Sequence, residues 1–251
     1  MKRSLDLPLK GRHAVVTGAG RGIGAAIARA LAEQGAEVSI IGRSQAGLQE
    51  VALEIGASAY ACDITHHAEY AEVMGEIGPV DILVNNAGAA ESAPFLKSDA
   101  EMWHRMLDIN LMAVVEGCRL VLPGMVERKW GRIINIASTA GLKGYAYVTP
   151  YVAAKHAVVG LTKALALEVA KSGITVNAVC PGYTDTDLVA KAVETIVAKT
   201  GRDAEAAKAG FHNPQGRLIQ PEEVANAVLW LAGTGAASVT GQAIAVAGGE
   251  I

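Results

Sequence analysis

Tyr151 and Lys155 stand four residues apart in a stretch, Ser138 to Lys155, rich in groups able to move a proton. Thr149-Pro150 just ahead of them reads as a helix start, because proline in the first turn lacks only an N–H that has no partner there. In a helix, a four-residue spacing puts both side chains on one face. An ammonium beside a phenol favours the phenolate and is expected to lower its pKa from about 10, toward the range of a general acid or base. Ser138 adds a hydroxyl at the end of the apolar run Arg132 to Ala137, where open α/β sheets bind their ligands. Tyr-x-x-x-Lys alone is a weak pattern, and an exposed helical pair is its ordinary meaning. The surrounding elements decide between the two.

Short apolar runs at Ala14–Thr17, Glu37–Ile41, Ser58–Ala61, Val80–Val84, Arg132–Ala137, Ile174–Val179 and Ala243–Val246 read as strands. Helical stretches lie between them: about Gly22 to Gln34, ended by Gly35; Gln45 to Ile55; a long amphipathic helix from about Asp99; the Tyr151 helix to about Lys171; and one from Pro221. Alternation of this kind, with each strand apolar throughout, predicts an α/β chain with a doubly wound parallel sheet covered by helices on both faces. No linker or composition shift divides residues 1–251, so a single domain is expected, with 183–216 less regular than the rest.

The first strand runs into Thr17-Gly18-x-x-x-Gly22-x-Gly24 and then a helix, the context of a phosphate-binding turn. Glycine lets the backbone approach a pyrophosphate, and the helix N-terminus offers N–H groups and a positive dipole end. Sites that hold the 2′-hydroxyl of NAD usually carry an acidic residue about 20 residues on. Here the second strand ends in Gly42-Arg43, which has no carboxylate to repel a 2′-phosphate and a guanidinium to bind one, with Arg21 nearby in the turn. NADP(H) is therefore expected over NAD(H), with NAD(H) possible.

A formal net charge of −3 gives no basic footprint for nucleic acid. With 51% hydrophobic residues the chain can build a sizeable core. Cys62, Cys118 and Cys180 are widely spaced, show no zinc spacing, and suit a reducing cytoplasm; adjacent His66-His67 lacks the carboxylates of a metal set. The basic start Met1-Lys2-Arg3 is not followed by a signal-peptide core, and no apolar run approaches the roughly 20 residues of a membrane span.

Taken together, Thr17-Gly18-x-x-x-Gly22-x-Gly24, Asn85-Asn86-Ala87-Gly88, Asn110, Ser138 with Tyr151-x-x-x-Lys155, and Pro181-Gly182 resemble, in order and spacing, the short-chain dehydrogenase/reductase family. The resemblance runs from about Gly11 to Gly249. It implies a Rossmann fold of about seven strands, a nicotinamide cofactor and a catalytic set of Asn110, Ser138, Tyr151 and Lys155. In that scheme Tyr151 is the acid/base and Ser138 steadies the substrate oxygen. Lys155 lowers the Tyr pKa and binds the nicotinamide ribose, and Asn110 holds a relay water. Cofactor contacts are implied at Gly18, Arg21, Gly22, Ile23 and Gly24, at Arg43, Asp63 and Ile64, at Asn86, Ala87 and Gly88, at Tyr151 and Lys155, and at Pro181, Gly182 and Thr184.

The segments Pro181 to Thr186 and Gly216 to Glu223 recur among reductases of 3-oxoacyl thioesters and dehydrogenases of 3-hydroxyacyl-CoA, but also among sugar, cyclic-alcohol and steroid members. A 3-oxoacyl/3-hydroxyacyl thioester, acyl-CoA among them, is the expected substrate, with residues about 183–216 as its lid. The alternatives are an NAD-linked dehydrogenase of a cyclic or aromatic alcohol and a non-catalytic redox sensor. Apolar outer faces on the long helix and the Tyr151 helix point to a homotetramer or a dimer, which Gly248–Ile251 is expected to join.

Overall fold

The computed structural model describes residues 7–251; Met1–Asp6, with the basic start, lie outside the described residues, as does the side chain of Lys199. Seven strands form one sheet: β1 (His13–Thr17), β2 (Glu37–Gly42), β3 (Ser58–Ala61), β4 (Ile82–Asn85), β5 (Gly131–Ile136), β6 (Ile174–Pro181) and β7 (Ala243–Val246). All neighbours are parallel, in the order β3-β2-β1-β4-β5-β6-β7. The order reverses between β1 and β4, the crevice where such sheets bind dinucleotides. The expected strands are all present, displaced at their ends by no more than two residues.

Helices cover both faces. The helices α1 (Gly22–Glu33), α2 (Gln45–Ile55) and α9 (Pro221–Ala232) pack one core, with Ile27, Leu31, Leu48, Val228 and Leu231 against Val16, Ile40 and Ile134. On the other face, α3 (His67–Ile77), α5 (Ala113–Arg128) and α6 (Thr149–Val169) enclose Val15, Leu83, Ile133 and Val176. Both faces of every central strand are therefore dry, which is why these strands read as unbroken apolar runs.

The long helix is interrupted. It comprises α4 (Ala100–Leu107), a π-helical turn at Asp108–Met112, and α5. Such turns inside α-helices recur at functional sites, and this one carries Asn110. Joined, Ala100–Arg128 is long and apolar enough by length and composition to cross a membrane, which corrects the sequence reading that no apolar stretch approaches a span. Glu116 and Arg119, inside α5, break the stretch into shorter uncharged runs in the sequence. In the fold, Met102, Met106, Val114, Cys118, Val121 and Met125 of this stretch are buried.

The segment 183–216, expected to be less regular than the rest, contains two helices, α7 (Asp187–Thr200) and α8 (Ala204–Ala209). Asp203 caps α8 by accepting from the N–H groups of Glu205 and Ala206, and Gly201 ends α7 in the left-handed conformation. Mixed small and charged residues had masked a helical period there.

Candidate active site

The glycine turn fits an anion. Gly18 and Gly22 have positive φ (67° and 56°), which only glycine adopts without strain. A Cβ on Gly24 would stand 2.4 Å from the Gly18 carbonyl oxygen and 2.5 Å from Asn86 Nδ2, so helix and turn meet closer than any side chain allows. Nothing caps the amino end of α1: Arg21 makes no side-chain capping bond, and the first turn carries no acidic residue. Free N–H groups at a positive dipole end are what a pyrophosphate needs.

Thr17 and Asn86 staple β1 to the loop after β4. Thr17 Oγ1 accepts from the N–H groups of Asn86 (3.0 Å) and Ala87 (3.1 Å), and Asn86 Nδ2 donates to Thr17 O (2.9 Å) and Gly18 O (3.2 Å). The Asn86 side chain thus shapes the crevice, with both its amide hydrogens already placed. Farther out, Arg43 follows β2 with its side chain 75% exposed and Nη1 4.0 Å from Asp63 Oδ2. Burial pushes the Asp63 carboxyl up, but hydrogen bonds from Thr65 and the nearby Arg43 charge outweigh it and hold the pKa below its usual value. Ile64 is buried beneath. Arg21 forms a 3.0 Å ion pair with Asp187 at the start of α7, both side chains well exposed. A pair in that setting is worth under about 1 kcal/mol, too little to keep Arg21 from a phosphate.

A buried polar chain sets the register of α6. Asn85 Nδ2 donates to Asn135 Oδ1 (2.9 Å), Asn135 Nδ2 to Thr162 Oγ1 (2.9 Å), and Thr162 Oγ1 to Val158 O (2.8 Å). Each buried polar group finds a partner only when strands and helix align, so the chain specifies one alignment. One turn and more up that helix, Lys155 is 4% exposed and its Nζ donates to Ile136 O at 2.9 Å.

Lys155 Nζ lies 5.6 Å from the centroid of the Tyr151 ring. The expected lowering of the Tyr151 pKa is not what this geometry produces: burial raises it, and a hydrogen bond with Ser138 opposes that only in part. The ammonium faces the ring and is engaged by the Ile136 carbonyl. Burial also lowers Lys155 itself, to about 8. Ser138 Oγ accepts from Ala140 N at 3.0 Å, which leaves its own hydrogen free to donate.

Asn110 is fully buried. Its Nδ2 donates to Ala89 O (2.8 Å) and Met106 O (3.0 Å), while Oδ1 accepts weakly from Ala89 N (3.3 Å). A Cβ on Gly88 would stand 2.8 Å from Asn110 Oδ1 and 3.6 Å from Lys155 Nζ, so glycine is what lets these two groups approach. The side-chain amide has no hydrogen left to donate to a relay water.

Ser138, Tyr151, Lys155, Asn110, Asn86, Gly88, Ile23, Pro181, Gly182 and Thr184 all line one cavity of about 540 Å³. Gly18, Arg21, Gly22, Gly24, Ala87, Arg43, Asp63 and Ile64 lie outside that lining, along the ends of β1, β2, β3 and β4. The far wall comes from α7 and beyond: Val189, Lys191, Ile196 and Phe211, with Tyr183 and Tyr145 completing it. Tyr145, Tyr183, Phe211 and the Tyr145 partner Glu250 belong to no motif of the sequence, since they meet only through the fold.

A dinucleotide crevice at the switch point, opening onto a Ser–Tyr–Lys cluster, defines a nicotinamide-dependent oxidoreductase of carbonyl or hydroxyl groups. Residues 12–196 match the short chain dehydrogenase family. The chain belongs to that family. It is 40% identical to a D-beta-hydroxybutyrate dehydrogenase of Cupriavidus necator, over 93% of this chain and 95% of that one. It is 39% identical to the 3-oxoacyl-acyl-carrier-protein reductase FabG of Vibrio cholerae, over 96% and 98%. A crystal structure of an actinorhodin polyketide ketoreductase variant with NADPH superposes with a TM-score of 0.92 at 41% identity, covering 95% of this chain and 97% of that one.

Proposed function

We propose that the protein is an NADP(H)-preferring reductase of 3-oxoacyl thioesters, acting in reverse on 3-hydroxyacyl thioesters. The observation that carries this is the cavity itself: Ser138, Tyr151 and Lys155 converge at one end, and the rest is mostly apolar. Beyond Lys155, the one charged lining residue among the described residues is the exposed Lys191 on α7, placed to meet an anionic carrier group. Relatives that act on ketoacyl substrates support the same reading and do not favour a cyclic-alcohol dehydrogenase or a sensor.

The cofactor would lie with its pyrophosphate at the α1 amino end, its 2′-phosphate near Arg43 and its nicotinamide toward Ile136, Pro181 and Thr184; bound there, it supplies the hydride. The NADPH-bound structural relative supports the NADP(H) preference. Tyr151, kept protonated by burial, gives its proton to the ketone oxygen. Ser138 donates to that same oxygen and steadies the charge growing on it. Lys155, charged below about pH 8, favours the phenolate left behind and holds the ribose. Asn110 fixes Gly88 and Ala89 beside Lys155. Residues 183–216 close over the substrate as its lid.

We also infer a cytoplasmic homotetramer. The support is the exposed Met112, Val126 and Leu167 on α5 and α6 and their flanking turn, and three free buried cysteines. Light scattering that gave a single-subunit mass would reject the assembly. The functional test is initial rates with acetoacetyl-CoA and with a neutral cyclic ketone, each with NADPH and NADH. Fast NADPH-linked turnover of the thioester is expected; turnover of the cyclic ketone alone would overturn the substrate assignment.

A further inference from the structure

A carboxylate outside every motif braces the substrate side of the cavity. Glu250 follows β7 and turns inward, its side chain 15% exposed. Its Oε1 accepts a hydrogen bond from the Tyr145 hydroxyl and lies 3.0 Å from Lys143 Nζ. The Tyr145 oxygen is also 2.7 Å from Thr139 Oγ1, on the residue next to Ser138. The other carboxylate oxygen, Oε2, is buried without a partner. It packs so closely on Gly182 that a Cβ there would stand 3.0 Å away. A carboxylate held in this way, half unsatisfied, costs stability and calls for a reason.

That reason lies in what Tyr145 touches. Its ring meets Tyr183 edge-on, with centroids 6.0 Å apart, and Tyr183 meets Phe211 likewise at 4.8 Å. All three rings line the cavity. One tie from Glu250 therefore reaches the reacting end, through Thr139 to the Ser138 loop, and the far wall, through Tyr183 to Phe211. Burial first, then the Glu250 carboxylate, raises the Tyr145 pKa, so its hydroxyl keeps the proton it donates.

We propose that Glu250 is a positioning residue for substrate: through Tyr145 it sets the aromatic wall against which the carbon chain lies while its ketone meets Ser138 and Tyr151. This rests on the cavity being the substrate site. A wall residue acts on substrates long enough to reach it, so its removal is read in KM rather than in kcat or cofactor affinity.

The test compares Glu250→Ala, Glu250→Gln, Tyr145→Phe and the Ala/Phe double variant, using acetoacetyl-CoA and a benzoylacetyl thioester with NADPH. Glu250→Ala is expected to raise KM for the benzoylacetyl thioester about 10-fold, with kcat and NADPH affinity within about 2-fold of wild type. Acetoacetyl-CoA, too short to reach the wall, is affected less. Glu250→Gln, whose amide oxygen still accepts from Tyr145, restores most of the loss. The double variant is no worse than Tyr145→Phe alone, as expected of one shared path. Additive losses, or a fall in NADPH affinity equal to the rise in KM, would overturn the proposal. Fluorine NMR of fluorotyrosine-labelled protein separates it from the substrate assignment. If neither thioester turns over, the assignment fails, yet Glu250→Ala must still shift the Tyr145 and Tyr183 resonances; unmoved resonances reject the brace.

Discussion

The two ends of the sheet's carboxyl edge are built in different ways. At the cofactor end, around β1, β2 and β4, the geometry belongs to the backbone: glycines at positive φ, a helix start left uncapped, and Thr17 and Asn86 bonded to main-chain groups. At the substrate end, around β6 and β7, it belongs to side chains far apart in sequence. Tyr145 meets Glu250 across 105 residues, and Tyr183 meets Phe211 across the lid. Backbone sites tolerate few substitutions and recognise a constant ligand; side-chain walls can be exchanged without disturbing the fold. One chain thus keeps a fixed cofactor seat beside an adjustable substrate seat.

Substitutions at the junction and in each half test that division. The largest effect is expected where the halves meet. Tyr151→Phe should lower kcat by about 10²- to 10⁴-fold while NADPH binding, followed by its fluorescence, stays within about 2-fold. Retained turnover would remove Tyr151 from the mechanism.

Next comes the backbone seat. Gly24→Ala drives a Cβ to 2.4 Å from Gly18 O, contact with a rigid partner. It should cost about 1–3 kcal/mol and lower Tm by several degrees in a thermal melt, with cofactor binding weakened further. Tyr183→Leu, on the side-chain wall, should change substrate KM with the cofactor seat intact; equal damage from both would erase the contrast.

A smaller effect belongs to Arg43. Its exchange for alanine should weaken NADPH about 10-fold and NADH hardly at all, since the guanidinium would serve only the 2′-phosphate. Equal loss for both cofactors, seen in paired titrations, would contradict that role.

The smallest is a pH response. Lys155, lowered by burial to about 8, is charged below that pH and neutral above it. Tyr151, raised by burial, keeps its proton across the same range. The rate of ketone reduction, as kcat/KM, should therefore be level up to about pH 7 and fall as pH rises through about 8. A fall beginning only near the ordinary lysine value of about 10.4 would show that substrate-free Lys155 is not desolvated.

Much of this molecule was legible in the residue string. Apolar runs broken by glycine turns marked all seven strands, because parallel strands buried on both faces have no polar alternation to blur them. Residues of the proposed catalytic set and most of the crevice stood at spacings that a strand–turn–helix context makes meaningful. What the string obscured has physical causes. The π turn at Asn110 inserts a residue without changing composition, and α7 and α8 mix small and charged residues on a short period.

Electrostatics at the site were misjudged for a related reason. Spacing placed Lys155 near Tyr151 but could not say that its ammonium reaches Ile136 O, nor that burial raises the pKa of the phenol. Nor could it bring Glu250 to Tyr145. By itself the sequence determined the layers, the glycine seat and which groups face one another along α6, since each follows from local backbone preference and periodicity. Tertiary structure alone decided the aromatic wall, the Glu250 contact with Tyr145 and the pKa shifts of Tyr151 and Lys155, because each depends on contacts and desolvation between segments that local rules do not connect.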